Sequence, residues 1–194
     1  IARRQRQMCI RDRTGPGRNG GGAVETPLVL VCTHAKRDTC CAVKGRPLAA
    51  ELVEDYPDMV WETSHTKGHR FAPSVMLMPW GYSFGRMNKE AAAQMIAAAA
   101  RGKYFYPVNR GRGIFGPRGQ VAELAVARAL IDAGEELSYG QLTATDSGEV
   151  SHIDGRRWRV TLEEREVEGV VSSCGDAPKT GQAIVATGVE PVAG

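Results

Sequence analysis

The first uninterrupted apolar run of the chain is LVLVC at 28–32, and its Val and Leu content predicts a buried strand of the parallel-sheet kind. Pro47 is placed to open a helix over 47–55, where Leu48, Leu52 and Val53 share a stripe. MVWETS at 59–64 predicts a second strand. SVMLM at 74–78, the Pro79-Trp80-Gly81 break and YSFGRM at 82–87 together predict a hairpin. Asn88 is a candidate N-cap, with Glu90 behind it, for a helix running to residue 101. Gly102 then stands where a C-terminal cap glycine belongs.

This β-α-β-β-β-α order fits a thioredoxin-like α/β sandwich that lacks one central helix. A Gly- and Arg-rich connection, YFYPVNRGRGIFGPRG, leads to QVAELAVARALIDAG at 120–134. That segment predicts an amphipathic helix with Val121, Leu124, Ala125, Ala127 and Leu130 on or near one face. Beyond 137, RWRVTLEE and VEGVVSS predict a small antiparallel sheet, with Asp154-Gly155 at a hairpin turn. The expected organisation is a leader at 1–26, an α/β domain at 27–135 and a small β-rich extension at 136–194.

Charge changes the picture only at the N-terminus. Six arginines against Asp12 give residues 1–22 a charge of +5, which leaves −2 for the rest of a chain whose total is +3. The basic balance therefore belongs to the leader and does not argue for nucleic-acid binding by the folded part. With few apolar residues the leader reads as disordered or artefactual, and the opening Ile suggests a fragment. No run of 18 apolar residues occurs, and AAAQMIAAAA at 91–100 reads as a packed helix, so no membrane span is expected. Five cysteines in 194 residues are too few for a disulfide-built scaffold. With no secretory signal before the first strand, a cytoplasmic location is expected.

The candidate chemistry lies at the ends of the first two predicted strands. Cys32, Cys41, His65 and His69 form the pattern C-x8-C-x23-H-x3-H. Two thiolates and two imidazoles suit zinc or an iron–sulfur cluster. Lys36 and Arg37 in the intervening loop favour the thiolate form, and Gly68 allows a turn that brings both rings to one centre. A zinc finger places its cysteines two to four residues apart, so the eight-residue gap does not fit that module. No C-x-x-C occurs, and Cys40 competes with Cys41 as the second thiolate.

The segments CTHAKRDTCCAVKGRPLA and VWETSHTKGHRFAPSVMLMPWGYSFGRM resemble the sucrase/ferredoxin-like family, over about residues 27–135. The resemblance implies a thioredoxin-like ferredoxin domain holding a [2Fe–2S] cluster on Cys32, Cys41, His65 and His69, and it favours Cys41 over Cys40. It implies an electron carrier rather than a stand-alone enzyme, served by a redox partner protein, with a potential above that of an all-Cys ferredoxin. Lys67 stands where many relatives have Gly. No glycosidase activity is implied, because Glu51, Glu54, Asp55 and Asp58 read as solvated and not as a facing pair. Two rivals stay open: a structural Zn2+ module, and a thiol-based redox protein using Cys40 or Cys41. His34, Arg37 and Arg70 read as solvated, Trp61 and Phe71 as core, and Cys174 and His152 as outside the constellation.

Overall fold

The computed structural model describes residues 26–36, 38–66 and 68–192. The expected leader (but for Thr26), Arg37 and Lys67 lie outside the described residues. Strand β1 (Leu28–Cys32) runs into helix α1 (Thr39–Asp55) and then strand β2 (Val60–Thr63). A 3-10 turn (His69–Phe71) precedes the hairpin of β3 (Ser74–Met78) and β4 (Tyr82–Gly85), followed by helix α2 (Lys89–Ala100) and strand β5 (Asn109–Arg112). These strands make one sheet in the order β2-β1-β3-β4-β5. Strands β1 and β2 are parallel, and β3 and β4 continue antiparallel. A βαβ unit joined to a ββα unit in this order is the thioredoxin-like sandwich expected.

Side-chain parity explains which face of the sheet is covered. Val29, Val31, Val75, Leu77, Tyr82 and Phe84 are fully buried together with Leu48 and Leu52 of α1 and Met95 and Ile96 of α2. Each such side chain contributes roughly 1.5–3 kcal/mol by leaving water. The opposite face carries Leu30, which is in register with Trp61 on one side and Met76 on the other. That row is only partly covered, and Trp61 is 58% exposed rather than core. The first strand is thus sealed on one face, not two.

Helix α1 begins eight residues before Pro47. Its N-cap is Asp38, whose side chain accepts the Cys40 N–H. Pro47 sits inside the helix, where its missing N–H leaves the carbonyl of exposed Val43 to water. The buried stripe is built from small residues, with Cys41, Ala42, Gly45 and Ala49 accompanying Leu48 and Leu52. Asn88 caps α2 by accepting the Ala91 N–H at 2.9 Å, and Gly102 follows in the left-handed region at φ 69°, both as expected.

Helix α3 (Pro117–Asp132) packs into a second core with strands β6 (Leu142–Ala144), β7 (Glu149–His152), β8 (Arg157–Val170) and β9 (Lys179–Val192). These four strands form an antiparallel sheet in chain order, with Gly155 at φ 97° in the β7–β8 turn. The expected RWRVTLEE segment and the VEGV of VEGVVSS are parts of one continuous strand, which ends at Val170. Trp158, Val160 and Leu162 alternate onto α3 with the period-2 spacing of a strand. Past Leu162 the β8–β9 ribbon leaves this core, and its far end lies over the first sheet's functional loops.

Candidate metal centre

Gly45 decides how closely α1 approaches β1. A Cβ at this position would stand 2.2 Å from the carbonyl oxygen of Cys32, so only glycine lets the helix lie on the strand end. Cys41 is one helical turn earlier on the same face, and it forms a buried patch with Cys32 and Ala72. Both cysteines are free thiols. Burial comes first in pushing the Cys41 thiol up to about 12, reinforced by its neighbour Cys32 and by Asp38. A metal taking this pair must displace a tightly held proton.

The histidine pair reaches the same region from the other side. Gly68, at φ 71°, begins the 3-10 turn that carries His69, and the rings of His65 and His69 lie 5.5 Å apart. His34 stands farther out, 6.3 Å from the His65 ring. His69 Nδ1 is buried without a hydrogen-bond partner among the described residues. Its other nitrogen, Nε2, is 3.1 Å from Ser173 Oγ and 4.0 Å from Asp38 Oδ2. An imidazole steered by polar groups at one nitrogen and left open at the other is arranged as a metal ligand would be.

Asp38 joins the two pairs electrostatically. Burial opposes its ionisation, but the N–H groups of Cys174 and Cys40, together with His69 and His65, outweigh it and hold the carboxyl below its usual range. The same charge acts on Cys41. The four predicted residues therefore form two close pairs, Cys32 with Cys41 and His65 with His69, and Asp38 acts electrostatically on both.

Two features of this locality were not foreseen. Cys40 forms a disulfide with Cys174, which the β8–β9 ribbon delivers across 134 residues of sequence. The Cys174 N–H donates to Asp38 Oδ2 at 2.8 Å, so the ribbon tip docks on the α1 cap. Cys174 thus belongs to the constellation it was expected to lie outside. The ligand atoms of Asp38, Cys40 and Cys174 lie within 4.8 Å of one another, a group able to hold a metal once the bridge is opened. No signal in the local sequence pairs Cys174 with Cys40. The second feature is Phe71, only half-buried, with Arg70, Arg86 and Arg110 at 4.6, 5.8 and 4.0 Å from its ring centroid. His152, by contrast, pairs with Asp154 at 2.8 Å in the β7–β8 turn, away from the site.

Glu51, Glu54, Asp55 and Asp58 are all exposed, as read from the sequence. Among the described residues no helix is long and apolar enough to cross a membrane. No curated protein matched the chain. Among solved structures, a thioredoxin-like [2Fe–2S] ferredoxin from Aquifex aeolicus aligns at 16% identity and a TM-score of 0.39, covering 46% of this chain and 94% of that one. The family model for sucrase/ferredoxin-like proteins matches residues 7–111, which is more than half of the chain and includes all four candidate ligands. The chain belongs to the sucrase/ferredoxin-like family.

Proposed function

We propose that this protein is an electron carrier holding a [2Fe–2S] cluster on Cys32, Cys41, His65 and His69. The observation that carries the reading is the buried, open Nδ1 of His69 in the same locality as two buried free thiols. The donor set of two sulfurs and two imidazole nitrogens suits the group. When bound, the cluster would supply one-electron exchange. The chain's own residues do the rest. Gly45 seats Cys41 against Cys32. Ser173 and Asp38 lie beside His69 Nε2 and fix the direction in which the ring presents Nδ1. Burial of both thiols excludes water from the sulfur side. The disulfide at Cys40 and the free thiol at Cys41 support Cys41 as the second thiolate in this reading. A redox partner protein would dock on the histidine side, where His34, His65 and His69 are half-buried while both thiols are sealed.

The test is composition and colour of anaerobically purified protein, with variants. Iron and sulfide near two each per chain, with visible absorption, are expected. Cys41→Ser should abolish both, whereas Cys40→Ser should retain them. One zinc per chain in a colourless protein would replace the reading with the structural zinc alternative.

A second reading is favoured by one specific observation. The Cys40–Cys174 bridge is solvent-accessible, with Cys174 exposed and Cys40 half-buried, and accessible bridges are the ones that exchange. Cys40 and Cys174 would then form a redox pair beside the metal ligands.

A further inference from the structure

A cleft of about 550 Å3 lies between the α1 N-terminus with its neighbouring 3-10 turn and the far end of the β8–β9 ribbon. The Cys40–Cys174 bridge forms part of its wall, next to His69. Lys44, Arg70 and Arg86 also face it, and Glu168 is the one carboxylate among the described lining residues. Asp38 stands close to the bridge, but its oxygens are committed to the N–H groups of Cys40 and Cys174. Lys44, Arg70, Arg86 and Arg110 have no carboxylate partner among the described residues. Elsewhere Arg118, Arg128, Arg156, Arg159 and Arg165 hold at least one, whereas Arg46, Arg101, Arg112 and Arg157 hold none among the described residues, so what marks the cleft is the convergence of Lys44, Arg70 and Arg86 on it.

Lys44, Arg70 and Arg86 are exposed at the cleft, while Arg110 does not line it and packs with Arg70 and Arg86 around the Phe71 ring. Cβ atoms at Gly68 and Gly85 would stand 2.4 and 3.0 Å from Arg110, so both glycines make room for it. Arg86 is held at φ 56°, a costly conformation for a residue with a Cβ, while its N–H donates to the Phe71 carbonyl at 2.7 Å. Like charges gathered around one aromatic ring repel each other, and a bound anion would relieve that repulsion. Burial, and then Arg70, lower the affinity of Arg110 for its own proton, as expected of uncompensated positive charge. Val167, Val170 and Phe71 supply apolar wall for the body of a small molecule.

We propose that this cleft receives a small thiol bearing carboxylate groups, and that the anionic thiol exchanges with the Cys40–Cys174 bridge. The proposal rests on the second reading above and names its substrate class. The incoming thiolate attacks Sγ of Cys174, the more exposed residue of the pair. The bond between the two protein sulfurs breaks as the new one forms, and the electron pair leaves on Cys40 Sγ, which takes a proton from water. Cys40 lies in the first turn of α1, where the helix N-terminus favours negative charge. A second thiolate attacks its own kind in the mixed disulfide and releases Cys174, which is protonated in turn. In sum, two small thiols are oxidised to one disulfide, and the protein bridge is reduced to two thiols.

The experiment uses the full chain purified without reductant. Alkylation and mass spectrometry first establish whether Cys40 and Cys174 are bridged. Bridge reduction is then timed with mercaptosuccinate, 2-mercaptoethanol and cysteamine, each rate being divided by that of the same thiol with an uncharged small disulfide. The corrected rates should fall in the order anionic, neutral, cationic, with the extremes separated by roughly tenfold or more at low salt. Added salt should narrow the gap. A double variant, Arg70→Glu with Arg86→Glu, should erase the anionic preference, so that the corrected rates of the anionic and neutral thiols converge. Equal corrected rates, or a preference that survives the double variant, would overturn the anionic-thiol assignment and leave the redox pair standing. Free thiols at both positions would overturn the redox pair itself.

Discussion

Glu123 is fully buried on α3, with Oε1 accepting the Tyr82 hydroxyl at 2.5 Å and Oε2 without a hydrogen-bond partner among the described residues. Burial dominates its titration and raises the carboxyl to about 7 from an ordinary 4.5, while the Tyr82 bond and the Arg112 charge pull the other way. A raised carboxyl keeps its proton in the native state at a pH where the unfolded chain has lost it. Its contribution to stability is therefore most favourable below about 4.5, falls as pH rises through the window to about 7, and stays at the lower level beyond. At ~1.36 kcal/mol per pH unit, the shift amounts to about 3 kcal/mol across that window. Glu123→Gln removes the titration, keeps an acceptor for Tyr82 and places an amide where the acid O–H stood. Urea unfolding of both proteins should show the wild type losing about 2–3 kcal/mol relative to the variant between about pH 5 and about pH 8.5. Taking the difference cancels the histidines and the exposed carboxylates, which both proteins share. Profiles that stay parallel within about 0.5 kcal/mol would refute a buried, late-titrating Glu123.

Gly45→Ala should destabilise the fold by about 1–3 kcal/mol, because the added methyl meets the Cys32 carbonyl at 2.2 Å, and iron content should fall with it as Cys41 is lifted from Cys32; thermal unfolding and iron assay read the two effects. Val108 holds a left-handed φ of 54° while 44% exposed, so Val108→Gly should relieve backbone strain at little cost in burial and raise stability by up to about 1 kcal/mol in urea titration. Cys174→Ser opens a closed loop of 134 residues and should cost about 2–5 kcal/mol, while retaining the iron and sulfide of the proposed cluster; loss of both on this change would place Cys174 among the ligands.

The parts of the fold that were legible in the sequence are those where a side-chain period speaks locally. LVLVC and SVMLM became β1 and β3 residue for residue, and the Asn88 cap and Gly102 stop delimited α2. The candidate ligands were legible for a similar reason, since soft donors at strand ends announce themselves by residue type. Helix α1 was half legible. Its first turns bury Cys41, Ala42 and Gly45, which carry no hydrophobic stripe, and Pro47 marked a start that the Asp38 cap had already made. Strand β5, NRGR, has no apolar alternation and exists because its backbone pairs with β4.

Tertiary structure alone decided the surroundings of the site. Trp61 is exposed because the helices cover the other face of its sheet, a choice that its own strand does not encode. Past Leu162 the β8–β9 ribbon leaves the α3 core and carries Val167 and Val170 to the cleft, and its tip presents Cys174 to Cys40. The same long-range packing sets Arg70, Arg86 and Arg110 around Phe71 and leaves them without carboxylates among the described residues. The sequence by itself determined which residues could bind a metal, because chemical type is a property of the single residue. Which cysteine stays free, which nitrogen stays open and what charge surrounds them depend on contacts between segments far apart in the chain, and those exist only in the folded protein.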